Sequence, residues 1–304
     1  MSVLVLGAGP VGSTVARAFR ASGQEVTVGT RSGTTLPGMT AVRLDASDAD
    51  AVAHAADGRS AIVVCTNPPY HRWHAEWPPI VDAVIRAART TGADIVMVGN
   101  LYSYGKADMP MTERSPEHPA DSKGEVRRDL WATLRAASER GDVRAVEVRA
   151  SDYFGPGATA EAHLGTRFFA PILASKRSSA IGDPAQPHSW TYLPDLASTV
   201  VAAAGYAGNW SRIWHAPAAS NLSRTEICRQ VNDRYGVHGS ISGLPAWLIR
   251  GLGVFNPVLR EVAASSYQFR MPFFSDATET ERELGVRATP WHDALDATVE
   301  FYRT

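Results

Sequence analysis

Three glycines directly behind a short apolar run constrain this chain more than any other feature. The run is VLVL at 3–6, and the glycines are Gly7, Gly9 and Gly12 in GAGPVG. A strand, a glycine turn and a helix-forming stretch from Val11 to Ala21 open a parallel α/β unit of the kind that holds a dinucleotide. Each glycine has a separate task. Gly7 makes the tight turn, Gly9 lets a pyrophosphate approach, and Gly12 lets the helix lie close to the sheet. Pro10 and Val11 complete this cofactor set, because the free N–H groups of the helix start face the phosphates.

Strand candidates then recur at 25–28 (EVTV), 61–64 (AIVV), 94–98 (DIVMV) and 143–148 (VRAVEV). Their unbroken apolar character fits strands covered on both faces, which is the habit of parallel sheets. The expected fold is α/β, a Rossmann-type doubly wound parallel sheet with a smaller C-terminal substrate-binding region. Residues 1–150 form the nucleotide-binding part. Residues 151–304 mainly bind substrate, with segments returning to the core sheet.

Ile80, Val84 and Ala88 share one face of a helix, with Pro78 and Pro79 in its first turn. A later helix starts between Pro116 and Ser122. Ser122 with Glu125 reads as a capping box, and Ser115 before Pro116 is an equal start signal. Val126, Leu130 and Leu134 mark its buried stripe.

The 304 residues are 44% hydrophobic and 20% charged, as in ordinary folded proteins. Thirty basic against thirty-one acidic side chains give a formal charge of -1. That balance, without a basic stripe, argues against a nucleic-acid partner. The two cysteines, Cys65 and Cys228, form no framework. Cys65 ends an apolar run and reads as packed. MSVLVL lacks a basic n-region and is no signal peptide, and no stretch approaches the ~20 apolar residues of a membrane span. The expectation is a cytoplasmic monomer or homodimer that binds a small molecule and neither nucleic acid nor membrane. His71, His74 and Glu76 do not make a convincing metal set, so none is expected.

The end of the second strand bears on the cofactor. An NAD site usually places an acid ≈ 20 residues beyond the glycines, to bond the ribose hydroxyls. Here the sequence is GTRSG at 29–33. The planar fork of Arg31 suits a 2′-phosphate, and Thr30 and Ser32 add hydroxyl donors. NADP(H) is therefore expected over NAD(H). Asp45, in RLDA at 43–46, lies at a strand end, where it orients near the adenine or caps a helix. Asn67, at the start of the loop NPPYHRWHAEW, joins the cofactor set.

Several ordered blocks together resemble a known family. They are GAGPVG at 7–12, VGNLYSYG at 98–105, SPEHPADSKG at 115–124, RASDYFGPG at 149–157 and TYLPDLA at 191–197. The chain resembles the extended or atypical short-chain dehydrogenase/reductases, the NAD-dependent epimerase/dehydratase group. That resemblance implies a Ser or Thr after the fourth sheet strand, a Tyr, and a Lys four residues beyond it. Asn100 stands at the Ser/Thr position, Pro119 at the tyrosine and Lys123 at the lysine. The lysine would bond the nicotinamide ribose. Tyr104 matches a common structural tyrosine.

With Pro119 unable to give a proton, substitutes are needed. Tyr102, Tyr104 and Tyr153 are candidates, with His71, His118 and Asp121 behind them, and Tyr102 comes first because it lies beside Asn100. Asn100 can donate to a developing oxyanion but cannot supply the proton. The expected activity is an NADP(H)-dependent oxidoreductase or epimerase-like enzyme acting on a small carbonyl or hydroxyl substrate. A non-catalytic NADP(H) sensor is the alternative. Aromatic and apolar residues at 153–154, 168–173, 190–192 and 271–274 point to a cyclic or hydrophobic substrate.

Overall fold

A computed structural model describes residues 2–244 and 264–303. Its centre is a seven-stranded sheet built from β1 (Ser2–Leu6), β2 (Glu25–Thr30), β3 (Thr40–Arg43), β4 (Ala61–Val64), β5 (Asp94–Asn100), β6 (Ala145–Ala150) and β10 (Arg212–His215). The strand order is β10-β6-β5-β4-β1-β2-β3, and every pairing in it is parallel. From β1 the chain runs outward through β2 and β3, then returns to β4 on the other side of β1. That reversal opens a crevice beyond the carboxyl ends of β1 and β4, where open α/β sheets bind ligands. The α/β doubly wound fold is as expected.

The strands are apolar on both faces because both faces are covered. Leu4, Leu6, Ile62, Val64, Ile95 and Met97 pack with α2 (Ala49–Ala56), α3 (Trp73–Thr91) and α4 (Ser122–Glu139). Val3, Val5, Val28, Val63 and Val96 face α1 (Pro10–Ala21) and α6 (Leu193–Ala204). The side chains of one strand thus serve two cores in alternation.

Two expected helix starts need correction. Pro78 and Pro79 lie inside α3, beyond its first turn, since that helix already begins at Trp73. Trp73 and Trp77, four residues apart and both buried, extend the apolar stripe back past the prolines. In α4 the cap is Asp121, whose carboxylate accepts the Gly124 N–H at 2.9 Å, and Ser122 makes no capping box. Asp121 has the extended backbone that an N-cap needs. The strand end expected near Asp45 is that of the edge strand β3, and the helix that follows is the short α2.

Beyond β6 come β7 (Asp152–Phe154), α5 (Thr166–Leu173), β8 (Arg177–Ile181), β9 (Trp190–Tyr192), α7 (Arg224–Tyr235), β11 (Ser240–Leu244), α8 (Thr278–Leu284) and α9 (Trp291–Arg303). β7 pairs with β9, and β8 with β11, in small separate sheets. Phe154, Phe168, Phe169, Trp190 and Phe273 are each at most 2% exposed. These five rings are core rather than cleft lining, whereas Tyr153 on β7 is half-buried. No helix among the described residues is long and apolar enough to cross a membrane.

Candidate active site

The turn between β1 and α1 treats its three glycines differently. At Gly7, φ is 107°, and a side chain would meet the Thr66 backbone nitrogen at 2.8 Å. At Gly12 a Cβ would lie 2.2 Å from the Gly7 carbonyl oxygen and 3.2 Å from Cβ of Cys65. Cys65 is thus packing material under α1, and burial pushes its thiol up to about 12. At Gly9 nothing lies within 4 Å of that position. The backbone there faces the crevice, with Pro10 and Val11 starting the helix behind it.

A cleft of ≈ 640 Å³ runs from Gly7 and Gly9 to Thr30, Arg31, Ser32 and Asp45. Asn67, by contrast, accepts from Nη2 of Arg127 at 3.4 Å. The Asp45 carboxylate accepts the Ser47 N–H at 2.9 Å and hydroxyl at 2.7 Å. These bonds, with help from the Arg31 charge, hold its pKa below the usual carboxylate value. Asp45 is therefore an anion at neutral pH, and it caps no helix; α2 is capped by Asp48. Arg72 and Glu76 line the same cleft and pair at 2.6 Å, which commits Glu76 to an ion pair. Among the described residues no three His, Cys, Asp or Glu side chains converge on a metal position.

Past the nucleotide cleft lies a group of phenols and one buried lysine. Lys123, in the first turn of α4, is 2% exposed and lies 3.6 Å from Oδ2 of Asp121. Its Nζ is 5.6 Å from the centre of the Tyr70 ring. The Tyr70 and Tyr102 hydroxyls are 3.5 Å apart. Asn100 ends β5 and accepts the Tyr102 N–H through Oδ1 at 3.1 Å, leaving its amide N–H groups to donate. Burial raises the Tyr70, Tyr102 and Tyr153 phenols above their ordinary value, so all three are protonated at neutral pH. Tyr153 lies on β7, and its phenol is raised mainly by burial and further by its neighbour Tyr70.

The remaining candidates separate cleanly. Tyr104 is fully buried, bonds Nε2 of His215 at 2.8 Å and carries the Arg149 guanidinium 4.8 Å over its ring. It is a structural residue. His71 is exposed on the turn at 70–72, and His118 is exposed ahead of α4. Asp121 serves as the α4 cap.

Two features were missed from the sequence. Tyr70 is one, hidden in a loop that reads as solvated. The other is the pair of Asp152 on β7 and His188, 2.8 Å apart with His188 1% exposed. His163 lies near this pair, and burial lowers its pKa to about 4. Asp152 remains below the usual carboxylate range, because the neighbouring His163 and His188 rings and the Arg224 guanidinium outweigh its burial.

The model for the NAD dependent epimerase/dehydratase family matches residues 3–211. The chain belongs to that family. No curated protein sequence matches it. Among solved structures, a dTDP-glucose 4,6-dehydratase double mutant from Streptomyces venezuelae, with NAD and DAU bound, is similar over 100% of this chain and 97% of its own. Its sequence identity is 22% and its TM-score 0.79. UDP-glucose 4-epimerase from Thermus thermophilus with NAD has 16% identity and a TM-score of 0.80, covering 100% and 99% of the two chains. UDP-glucose 4-epimerase from Thermotoga maritima with UDP-glucose has 15% identity and a TM-score of 0.82, again over 100% and 99%.

These findings overturn the expectation of NADP(H), and with it the NADP(H)-dependent enzyme and sensor readings. The cofactor named with the dehydratase and with the Thermus epimerase is NAD. The physical reason lies at the end of β2. Arg31 shares its cleft with the ionised Asp45, and a carboxylate there opposes a 2′-phosphate.

Proposed function

We propose that the protein is an NAD(H)-dependent oxidoreductase of the epimerase/dehydratase kind, acting at a hydroxyl- or carbonyl-bearing carbon of a small molecule. Sugar nucleotides, named with its structural relatives, are the first substrate class to test. The observation that carries this reading is Lys123, a lysine 2% exposed at the helix start with its Nζ 5.6 Å from the Tyr70 ring, together with a glycine turn left open to a ligand.

The residues present fit NAD(H). Gly9 and the α1 N-terminus would receive the pyrophosphate. Asp45 would take the adenosine end, and Lys123 the nicotinamide ribose. When bound, the nicotinamide supplies or accepts hydride. The chain's own residues do the rest. Asn100 donates to the substrate oxygen as charge develops there, and Lys123 stabilises a phenolate beside it. Tyr102 lies next to Asn100 within this hydroxyl pair. His71 is too exposed to exclude water and is left out, while Tyr153 lines the substrate side.

Incubation with NADH deuterated at C4 and a panel of keto sugar nucleotides tests the reading. Deuterium in the sugar product supports it. Unlabelled sugar across the panel, with NADH bound, overturns it.

A further inference from the structure

α4 presents two buried cations, one turn apart, to the aromatic segment that follows β4. Lys123 lies over Tyr70. Arg127, four residues later, lies 4.7 Å from the Trp73 ring centre and 4.5 Å from that of Trp77. Arg127 is 5% exposed and makes no ion pair among the described residues. It donates to the Val98 carbonyl at 3.3 Å and to Asn67 Oδ1 at 3.4 Å. A buried cation without an ion-pair partner is costly, and here the nearby Glu147 charge, stacked aromatic faces and carbonyl oxygens offset the cost.

This arrangement fixes one ring in particular. The Tyr70 ring packs 5.1 Å from Trp73, and Trp73 stacks on Tyr102 at 6.3 Å. The Trp73 indole N–H is anchored on the Pro68 carbonyl at 2.8 Å. Tyr70 is therefore held from two sides, with its hydroxyl against that of Tyr102. Pro119, four residues before Lys123 and ahead of the α4 cap, has no proton to give. A phenol instead reaches the lysine from across the site.

We propose that Tyr70 is a catalytic residue, the acid of the oxidoreductase reaction inferred above, and that Tyr102 is its hydrogen-bonding partner. The assignment rests on that reading of the site. In the reducing direction the carbonyl carbon gains a hydride from NADH, and the C=O π pair moves onto oxygen. That oxygen takes the Tyr70 proton, so the carbonyl is reduced and NADH oxidised. Tyr102 donates its O–H to the phenolate left on Tyr70. In the oxidising direction the same phenolate accepts the substrate proton.

The charges around the pair give the two hydroxyls different parts. Burial raises both phenols. The hydrogen bond from Tyr102 and the charge of Arg127 pull Tyr70 back down, against Asp152 and Glu161. Tyr70, Asp152 and Asp121 all push Tyr102 further up. Tyr70 is the one that ionises, and Tyr102 the one that keeps its proton to donate.

Two measurements test this, and the first needs no substrate. With 3-fluorotyrosine placed at position 70, the fluorine resonance should shift when NAD⁺ is added. Its titration midpoint should rise by a pH unit or more in Tyr102→Phe. A resonance indifferent to both changes overturns the assignment. In the second, Tyr70→Phe should slow single-turnover hydride transfer about 100-fold or more, the low end of what a positioned acid contributes. NADH affinity should stay within about twofold, because the lost hydroxyl touches no part of the cofactor turn. A wild-type rate in Tyr70→Phe overturns the assignment and leaves the oxidoreductase reading intact. If the wild-type protein binds NADH and transfers hydride to nothing, the oxidoreductase reading falls, and Tyr70 as its acid falls with it.

Discussion

Gly9 and Gly12 stand three residues apart in one turn, yet alanine at each should fail in a different way. At Gly12 the new methyl would lie 2.2 Å from the Gly7 carbonyl oxygen, more than 1 Å short of ordinary contact. Backbone meets backbone there, so no side chain can swing aside. Replacing a helical glycine by alanine gains up to about 1 kcal/mol in propensity. Overpacking of this kind costs about 1–3 kcal/mol, and a clash this short belongs at the upper end. The net loss is about 2 kcal/mol, or roughly 3 °C in Tm for a chain of this size. At Gly9 the backbone is already extended, with φ -69° and ψ -174°, and the methyl would meet nothing within 4 Å. Gly9→Ala should leave Tm within about 1 °C. Its methyl instead occupies the approach of the pyrophosphate, so NADH affinity should fall about tenfold or more, equivalent to about 1.4 kcal/mol. Thermal unfolding of the ligand-free variants and calorimetric titration with NADH separate the two effects. A Gly9→Ala protein that binds NADH like the wild type would refute the placement of the pyrophosphate at this turn.

Asp45→Asn should narrow the preference for NADH over NADPH, read as a ratio of dissociation constants, because it removes the anion beside Arg31. An unchanged ratio would take Asp45 out of the adenosine site. Lys123→Met should weaken NADH binding about tenfold and abolish most turnover while far-ultraviolet circular dichroism stays unchanged; full retention of both would make it structural. Arg149 is 1% exposed and pairs with Glu147 at 2.7 Å and Glu117 at 2.6 Å. Its replacement by Met leaves a buried carboxylate unpaired and should cost about 3–5 kcal/mol in denaturant unfolding. A loss under 1 kcal/mol would contradict that. His163 and His215 are held neutral, by burial, down to about 4 and about 3. Their unfolded forms take up a proton near pH 6.5, so stability should fall as pH drops from 6.5 towards 4, by roughly 1.4 kcal/mol per pH unit for each. Stability that stays flat between pH 6.5 and 5 would show that neither is buried neutral.

The nucleotide half was legible because its signals are local. Strand, glycine turn and helix sit within Ser2–Ala21, and two-sided burial leaves unbroken apolar runs in β1, β4 and β5. β3 was marked only by its end near Asp45, since an edge strand has only half-buried and exposed residues, and α2 only by a candidate cap, since ADAVAHAA is short and alanine-rich. Pro78 and Pro79 hid the start of α3, since the stacking of Arg127 on Trp73 and Trp77 that anchors it is a long-range contact. The same distance in sequence hid Tyr70. Nothing local ties residue 70 to Tyr102 or Lys123; only the crossover from β4 to α3 brings them together. Asn100 and Lys123 were proposed from the family motifs, and Tyr102 from its place beside Asn100. Arg31 misled for the opposite reason. Its own segment lacks an acid, and Asp45 reaches the cleft only from beyond β3.

The most direct test is rapid-mixing absorbance at 340 nm, with the protein saturated in NAD⁺ and then mixed with sugar nucleotides bearing a free hydroxyl at the reacting carbon. An oxidoreductase of this family should give a transient rise at 340 nm as the substrate is oxidised on the enzyme, and that rise should vanish in Lys123→Met. A flat trace across the panel from a protein shown to hold NAD⁺ would contradict hydride chemistry at this site.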